Sequence, residues 1–580
     1  MLYLTKLSQK PSLVFILTVV ITLPALFSGW LGDDYIHYAL LHPDIHIPQA
    51  NDWSLFGLFS WVDAEPERTR VLIDRGVLPW WTNEGFRYQF WRPLAELSHW
   101  LDHRLWRDTA LLMHVQSLVW YLGLGFVLAR LFRRLAMPPL AAVAALAMFL
   151  WDSTHGLTLG WIANRNAIMA ALFGVLCLLW FLDWRESNSM RDLSLSLFWL
   201  LCSLFSGEIG VSTCAYLGAY VLTMDKGGAR WRALLSLWPY VVVSVAWWTI
   251  YKLGNFGASD SDTNYIDPLE SPILFAAKVV ERIPVLLFAQ FGLVPADLFG
   301  FFPDGQPIYL VIALAFLLLV LLLMWPLLRR SAMARFWALG CLFSAIPISA
   351  SIPADRNLLM VGIGASALLG LLFAEVTTHM IQSRWLRFGA YGLFVVHMIF
   401  SPLLMPLMSY SPQIWNQLMG LQFSQVLPVE SNKESVLLFG LSMPIALSTT
   451  PMRFAHQATV PRNLWLISSD AMNFTLRRVS ATSLEIESNR GMINTIEQTM
   501  RNLDREPLSV GQVVSTNAMS MLVDKLDSNN HPTKITMTLQ RELVSGAVVV
   551  FWDGKAFQRR TLPDVGAQLE LMLAKDEVAQ

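Results

Sequence analysis

Two adjacent aspartates, Asp33 and Asp34, stand directly after the first apolar run of the chain, and further charged groups recur where other apolar runs begin or end. Asp152 and His155 follow one such run, Arg165 opens the next, Glu208 sits between two more, and Asp355 and Arg356 precede a late one. Ionisable groups beside membrane-length helices are costly and are kept mainly where they face water, a partner or a substrate. Their placement therefore points to a working surface at one membrane face.

Carboxylates and guanidinium groups in one cleft suit transfer of a sugar from a polyprenyl phosphate or diphosphate to a hydroxyl. A carboxylate takes the acceptor proton, with a basicity that partial burial raises. Arginine stabilises the charge that grows on the departing phosphate through paired donors. Either Asp34 or Asp33 is expected to be the base, with the other positioning hydroxyls or holding a divalent metal. The plainer alternative is that the acid pair only ends a helix in polar solvent, with Arg165, Arg356 and Glu208 in ion pairs between helices. His37, His42 and His155 are more often packed or solvated than ligating.

These residues depend on a scaffold of apolar segments. The run Pro11 to Leu31 is long enough to span and leads into Trp30 and the acids rather than a small-residue cleavage site, so it reads as helix one. Further runs cover roughly 111–129, 135–151, 166–183, 193–207, 209–225, 233–252, 307–328, 336–352, 357–376 and 388–408, giving about eleven helices. Basic residues alternate with them: Lys6 and Lys10; Arg130, Arg133 and Arg134; Arg185 and Arg191; Lys226, Arg230 and Arg232; Arg329, Arg330 and Arg335; Arg384 and Arg387. The positive-inside rule makes those ends cytoplasmic, with the N-terminus inside and everything after 408 outside. Parity then makes 272–293, which contains Lys278, Glu281, Arg282 and Pro284, an interfacial or re-entrant helix.

Two outer regions remain, a first loop at 32–110 and a tail at 409–580. The loop carries Trp53, Trp61, Trp80, Trp81, Trp91, Trp100 and Trp106, rings that favour the boundary of water and lipid. Pro93 opens a helix in it with Leu94, Leu97, Leu101 and Leu105 on one stripe and Glu96, His99 and Asp102 elsewhere. A small soluble subdomain packed on the bundle is the other reading of this loop. The tail shows strand-like pieces at Ser435–Leu438, Leu464–Ile467, Thr482–Ile486, Lys534–Leu539 and Ala547–Trp552, with helix expected near 490–505 and 515–525. The fold class is thus a polytopic α-helical membrane protein, with a transmembrane domain at 1–408 and a β-rich or α+β extracytoplasmic domain at 409–580.

Several pieces, in order, resemble the GT-C class of multi-spanning glycosyltransferases. Gly32-Asp33-Asp34-Tyr35 is similar to that class's acidic motif in the first loop, and Trp91-Arg92-Pro93-Leu94 through Leu101-Asp102 to its "YRPL…S…LDY" segment. Met113-His114 to Leu118 resembles the helix that follows, Trp161-Ile162-Ala163-Asn164-Arg165-Asn166 a "GR.D" element, Ser206-Gly207-Glu208 a "KE" element and Asp355-Arg356-Asn357-Leu358 an "ERYLY" motif. The subgroup most resembled holds the transmembrane and tetratricopeptide-repeat O-mannosyltransferases and their bacterial relatives, although no such repeats follow here. Gly207 stands where that pattern has Lys, Asn166 where it has Asp, and Gln116 near its usual Asn. The resemblance implies a GT-C fold, a polyprenyl-phosphate sugar donor, an inverting displacement and a site in a bacterial inner membrane. It implies catalysis by Asp34 and Asp33, and donor or scaffold roles for Arg92, Arg165, Glu208 and Arg356; Asp355, Asp102 and His155, placed at the same outer face, are further expected substrate-binding residues.

Composition agrees with membrane solvent: of 580 residues 54% are hydrophobic and 15% charged. A net charge of −1 gives no field that favours nucleic acid. Cys177, Cys202, Cys214 and Cys341 all lie in apolar segments with no ligand spacing, so neither a disulfide framework nor a structural zinc is expected. The expected partners are the lipid-linked donor, membrane lipids and a glycan, lipid or protein acceptor. Two other functions fit the same surface, translocation of a lipid-linked glycan and non-catalytic assembly of the cell envelope through the tail.

Overall fold

The computed structural model describes residues 11–42, 57–107, 109–225, 230–259, 265–378, 383–420, 432–441, 443–470, 472–493, 500–503, 505–540, 544 and 546–573. Each of the eleven apolar runs forms a helix. Among the described residues, seven segments are long and apolar enough to cross a membrane: Ala110–Arg134, Pro139–Gly160, Ile162–Ser187, Trp231–Leu253, Pro303–Arg330, Leu359–Thr377 and Arg384–Leu418. Pro11–Phe27 and Ala332–Ile348 are shorter apolar helices. The chain is a multi-pass membrane protein.

Packing separates the helices by environment. In Leu359–Thr377 almost every side chain is buried, and its glycines let neighbours approach to backbone distance, as small residues do between membrane helices. A Cβ on Gly370 would lie 2.4 Å from the Ala141 carbonyl oxygen, and one on Gly364 2.6 Å from that of Trp337. Gln306–Arg330 is the opposite case, a nearly uniform run of Leu, Ile and Val left largely exposed, which suits contact with lipid. The helix Pro272–Gly292 runs unbroken through Pro284. Its second half packs Val285, Leu286, Phe288 and Ala289 into the bundle, while Ile273 and Val280 stay exposed.

The two ends of the bundle differ in charge. At one end Arg134 pairs with Asp183 at 2.8 Å and Glu186 at 2.7 Å, Arg185 with Asp225, and Arg330 with Glu375 at 3.0 Å. The helices Ala110–Arg134 and Arg165–Ser187 carry these groups at one tip and Met113, Gln116, Ser117 and Arg165 at the other. The acids and arginines singled out by sequence therefore gather at the far end.

The tail is α+β. In a four-stranded sheet, ordered Phe557–Thr561, Ala547–Trp552, Ser435–Phe439, Asn463–Ser468, the first pair is antiparallel and the last three strands are mutually parallel, and the helix Met443–Ala455 makes the crossover between the last two. A six-stranded antiparallel sheet runs in the order Gln568–Leu571, Phe474–Arg478, Ser483–Ser488, Pro532–Leu539, Met519–Leu526, Val513–Ser515. The helix expected near 515–525 is a strand: Met519, Met521 and Val523 point into the core and alternate with less buried neighbours, a period of two rather than 3.6. Of the other expected helix, 494–499 lie outside the described residues, Met500 is in 3₁₀ conformation, and 490–493 and 501–503 are bend, turn or loop.

The first loop and the tail share one core. Val62, Leu72, Ile73, Leu78, Trp80, Trp81 and Phe86 are buried with the inner faces of both tail sheets. Trp80 and Trp81 accordingly leave the lipid boundary expected of them and are 1% and 0% exposed, with the Trp80 indole donating to the Ile467 carbonyl at 3.2 Å. The Asp74 carboxylate accepts the backbone N–H groups of Asn517 and Ala518 at 3.0 and 2.8 Å, and its carbonyl accepts the Trp465 indole at 3.0 Å. Gly76 permits this docking, because with φ of 76° a Cβ would lie 1.9 Å from the Leu464 carbonyl oxygen. By packing, residues 62–86 go with the tail. Trp53 lies outside the described residues.

Candidate active site

Gly32 sets the first position. Its backbone (φ 49°, ψ −105°) is one that side chains disfavour, and this turn starts the helix Asp33–Leu41 immediately after the membrane helix, so that both acids fall in its first turn. Their environments then diverge. Asp34 is 3% exposed and both its oxygens are engaged: Oδ1 accepts the Ala163 N–H at 2.6 Å and Oδ2 the Leu31 N–H at 3.0 Å. Burial pushes its carboxyl up to about 8, against the pull of those two amides.

Asp33 is half-buried and makes no hydrogen bond or ion pair among the described residues. Burial raises it to about 6, while Arg356 and Arg92 act in the other direction. A carboxylate in that range is mostly ionised near neutrality and is more basic than one in water.

The two cations are held differently. Arg92 caps the helix Pro93–Leu105, with its guanidinium over the rings of Phe90 and Phe59 at 4.6 and 4.9 Å. It donates to Glu208 Oε2 from Nε at 2.9 Å, with Nη2 at 2.7 Å from the same oxygen, and Glu208 Oε1 accepts the Tyr251 hydroxyl at 3.1 Å. Arg356 lies over the Trp161 indole at 5.0 Å and makes no ion pair among the described residues. Its backbone carbonyl accepts the Thr158 hydroxyl at 3.1 Å. The Trp161 N–H in turn donates to the Leu31 carbonyl at 3.0 Å, so one indole carries Arg356 on its face and is tied to the turn that presents Asp33.

The other predicted site residues lie beneath this layer or beside it. Arg165 is 0% exposed and donates to Ser117, Ser98, Gln116 and the Met113 carbonyl at 2.7–3.1 Å, with Asp102 paired to it at 2.6 Å. Both members of that pair are enclosed by protein, which makes them a strut between the helices Pro93–Leu105, Ala110–Arg134 and Arg165–Ser187. Asp355 accepts the Ala296 N–H at 2.8 Å and donates its own N–H to Asp297 at 3.0 Å, and burial pushes it up to about 7. His155 is enclosed in the bundle, its Nδ1 within 3.1 Å of the Tyr121 hydroxyl. Arg165, Asp102 and His155 are closed off by protein and Asp355 is engaged by Ala296, while His155 Nε2 is buried without a partner among the described residues. Among the described residues no three His, Cys, Asp or Glu side chains are grouped to hold a metal ion.

Three neighbours were not singled out from sequence. Trp161 is the platform just described. Tyr88 is held well above its ordinary range by burial, lies within electrostatic reach of both Asp33 and Arg356, and shares a 3.2 Å hydrogen bond with the Tyr265 hydroxyl. Trp161 stood inside a quoted motif, whereas nothing in the local pattern at Tyr88 or Tyr265 marks either as meeting helix one. The helix Pro93–Leu105 inverts the usual globular arrangement. Glu96, His99 and Asp102 face the interior, while Leu97, Leu101 and Leu105 are 37%, 38% and 64% exposed, as a helix against lipid requires.

No protein-family model matches the chain, and no curated protein sequence matches it. Among solved structures, it is similar to the crystal structure of ArnT from Cupriavidus metallidurans bound to undecaprenyl phosphate. The identity is 11%, the alignment covers 78% of this chain and 90% of that chain, and the TM-score is 0.33.

Proposed function

We propose that this protein is a GT-C-type glycosyltransferase that moves a sugar from a polyprenyl-phosphate-linked donor to an envelope glycan, lipid or protein acceptor. It works at the periplasmic face of a bacterial inner membrane, with the N-terminus cytoplasmic and the tail outside. The observation that carries this reading is Asp33: a half-buried carboxylate without a side-chain hydrogen bond among the described residues, at a bundle tip, within electrostatic reach of the Arg356 and Arg92 guanidinium groups.

Asp33 takes the proton of the acceptor hydroxyl as that oxygen attacks the anomeric carbon. The bond from that carbon to the phosphate oxygen breaks, its electron pair leaves with the phosphate, and the configuration inverts. Arg356, on its indole platform, stabilises the departing charge, and Arg92 adds field while staying paired to Glu208. Asp34 fixes the turn. The sequence resemblance supports an acid of this pair as the base without choosing between Asp33 and Asp34, and the basic clusters at the opposite tip support the orientation.

The test compares Asp33→Asn with wild type at matched membrane levels, reading envelope glycans by mass analysis in a deletion strain. Intact glycans with Asp33→Asn would sink the mechanism.

A further inference from the structure

A cavity of about 340 Å³ opens between the tail and the membrane domain, outside the cluster around Asp33. Three segments build it: Asn83 and Gly85 to Arg87 of the first loop, Ser259 and Glu270 from the connection after Trp238–Leu253, and Met500 to Asn502 with Arg505 and Glu506 of the tail. Its walls are pinned across the seam. The Asn83 N–H donates to the Met500 carbonyl at 3.0 Å, the Asn83 amide to Glu506, and Arg505 to the Ser271 hydroxyl at 3.1 Å.

The lining has a chemical bias. Arg87, Arg501 and Arg505 face Glu270 and Glu506, and Glu270 is already committed to Arg87 at 3.1 Å. Arg87 donates to Asn255 Oδ1 at 2.8 Å and Glu270 Oε1 at 3.1 Å, and its Nε–H is buried without a partner among the described residues. Burial holds Arg501 below its ordinary range, and an anion would restore what its guanidinium loses. Asn83, Asn502 and Ser259 add amides and a hydroxyl. Guanidinium forks with amides and carboxylates serve hydroxyl-rich anions, since sugar hydroxyls both donate and accept.

Position links the cavity to the chemistry. Arg87 belongs to the strand Arg87–Gln89, whose next residue, Tyr88, is within electrostatic reach of Asp33 and Arg356. Arg87 and Arg92 lie on one extended segment, at most about 18 Å apart.

We propose that this cavity is an acceptor subsite, holding an anionic sugar unit, uronate or phosphate-bearing, while a hydroxyl further along the same glycan reaches Asp33. The proposal rests on the transferase reading and extends it to the acceptor's charge.

Titration calorimetry of the full-length protein in detergent tests it, with trigalacturonate, inorganic phosphate and neutral maltotriose as probes and no donor present. Wild type should bind trigalacturonate or phosphate in preference to maltotriose, trigalacturonate assigning a uronate and phosphate a phosphorylated sugar. Arg505→Gln should weaken that binding about tenfold, the loss of a charged hydrogen bond. Arg505→Lys, which keeps the charge, should lose less, and unchanged thermal midpoints confirm that both variants are folded. Asp33→Asn should bind as wild type does, so binding that survives while glycan transfer proves independent of Asp33 would sink the transferase reading alone. Binding of neither anion, or anion binding that Arg505→Gln and Arg501→Gln both leave unchanged, overturns the subsite.

Discussion

The Asp34 carboxylate accepts the backbone N–H of Ala163 at 2.6 Å, joining the end of the first membrane helix to the turn that opens the helix Arg165–Ser187. Its other oxygen accepts the Leu31 N–H, so Asp34 holds the frame and leaves Asp33 to face the arginines.

The two acids should therefore fail differently. Asn at 34 sets an amide donor against one of the two backbone N–H groups, which costs about 1–3 kcal/mol. Asp34→Asn should lower the thermal midpoint of the purified protein, while Asp33→Asn should not lower it and should cut the transfer rate about 10²–10⁴-fold. Equal midpoints for the two variants would refute this division.

The pH dependence follows from burial. Asp33 works as a base only when ionised, so kcat/KM should rise with pH and level off above about 6. Stability runs the other way. Because the folded value of about 6 exceeds the ordinary 3.8, the folded state holds more protons in that interval, and Asp33's contribution is lost as pH rises through it. Glu96, pushed up to about 8 by burial, extends the decline toward neutrality. From pH 4 to 8 the thermal midpoint should fall more, or rise less, in wild type than in Asp33→Asn, and identical profiles for the two would contradict the assignment.

Trp161 should matter through Arg356. Phe in its place keeps a weaker ring face and loses the hydrogen bond to Leu31. Loss of cation–π support and of that bond amounts to about 1–2 kcal/mol. Trp161→Phe should raise KM for the lipid-linked donor several-fold and affect a soluble acceptor's KM less. Equal effects on both would argue against a donor-side Arg356.

Arg165 belongs to the scaffold in this structure. Lysine cannot serve the four acceptors and the Asp102 partner it leaves behind, and a broken buried pair costs about 3–5 kcal/mol. Arg165→Lys should reduce the folded yield, read by detergent size-exclusion chromatography, rather than change KM in the protein that survives.

The docking of the first loop rests on Gly76. Gly76→Ala would drive a methyl into the Leu464 carbonyl at a left-handed backbone position. Proteolysis of the 60–90 region should quicken markedly, because both strain and lost burial act there.

The sequence by itself determined the eleven apolar helices, the charged tips and five strands of the tail. Each of these follows from local periodicity and the cost of burying charge, and the helix at Pro93–Leu105 was legible for the same reason. Only tertiary structure decided which acid is occupied, since Asp33 and Asp34 are identical in type and differ through Ala163, far along the chain. It also decided that Trp80 and Trp81 serve the tail's core instead of lipid, and that Arg165 meets Asp102 instead of solvent. Amphipathic rings and cations suit several environments equally, and long-range packing selects one. The strand Met519–Leu526 was misread for a related reason: polar and apolar residues mix there, and only pairing with Pro532–Leu539 imposes the period of two.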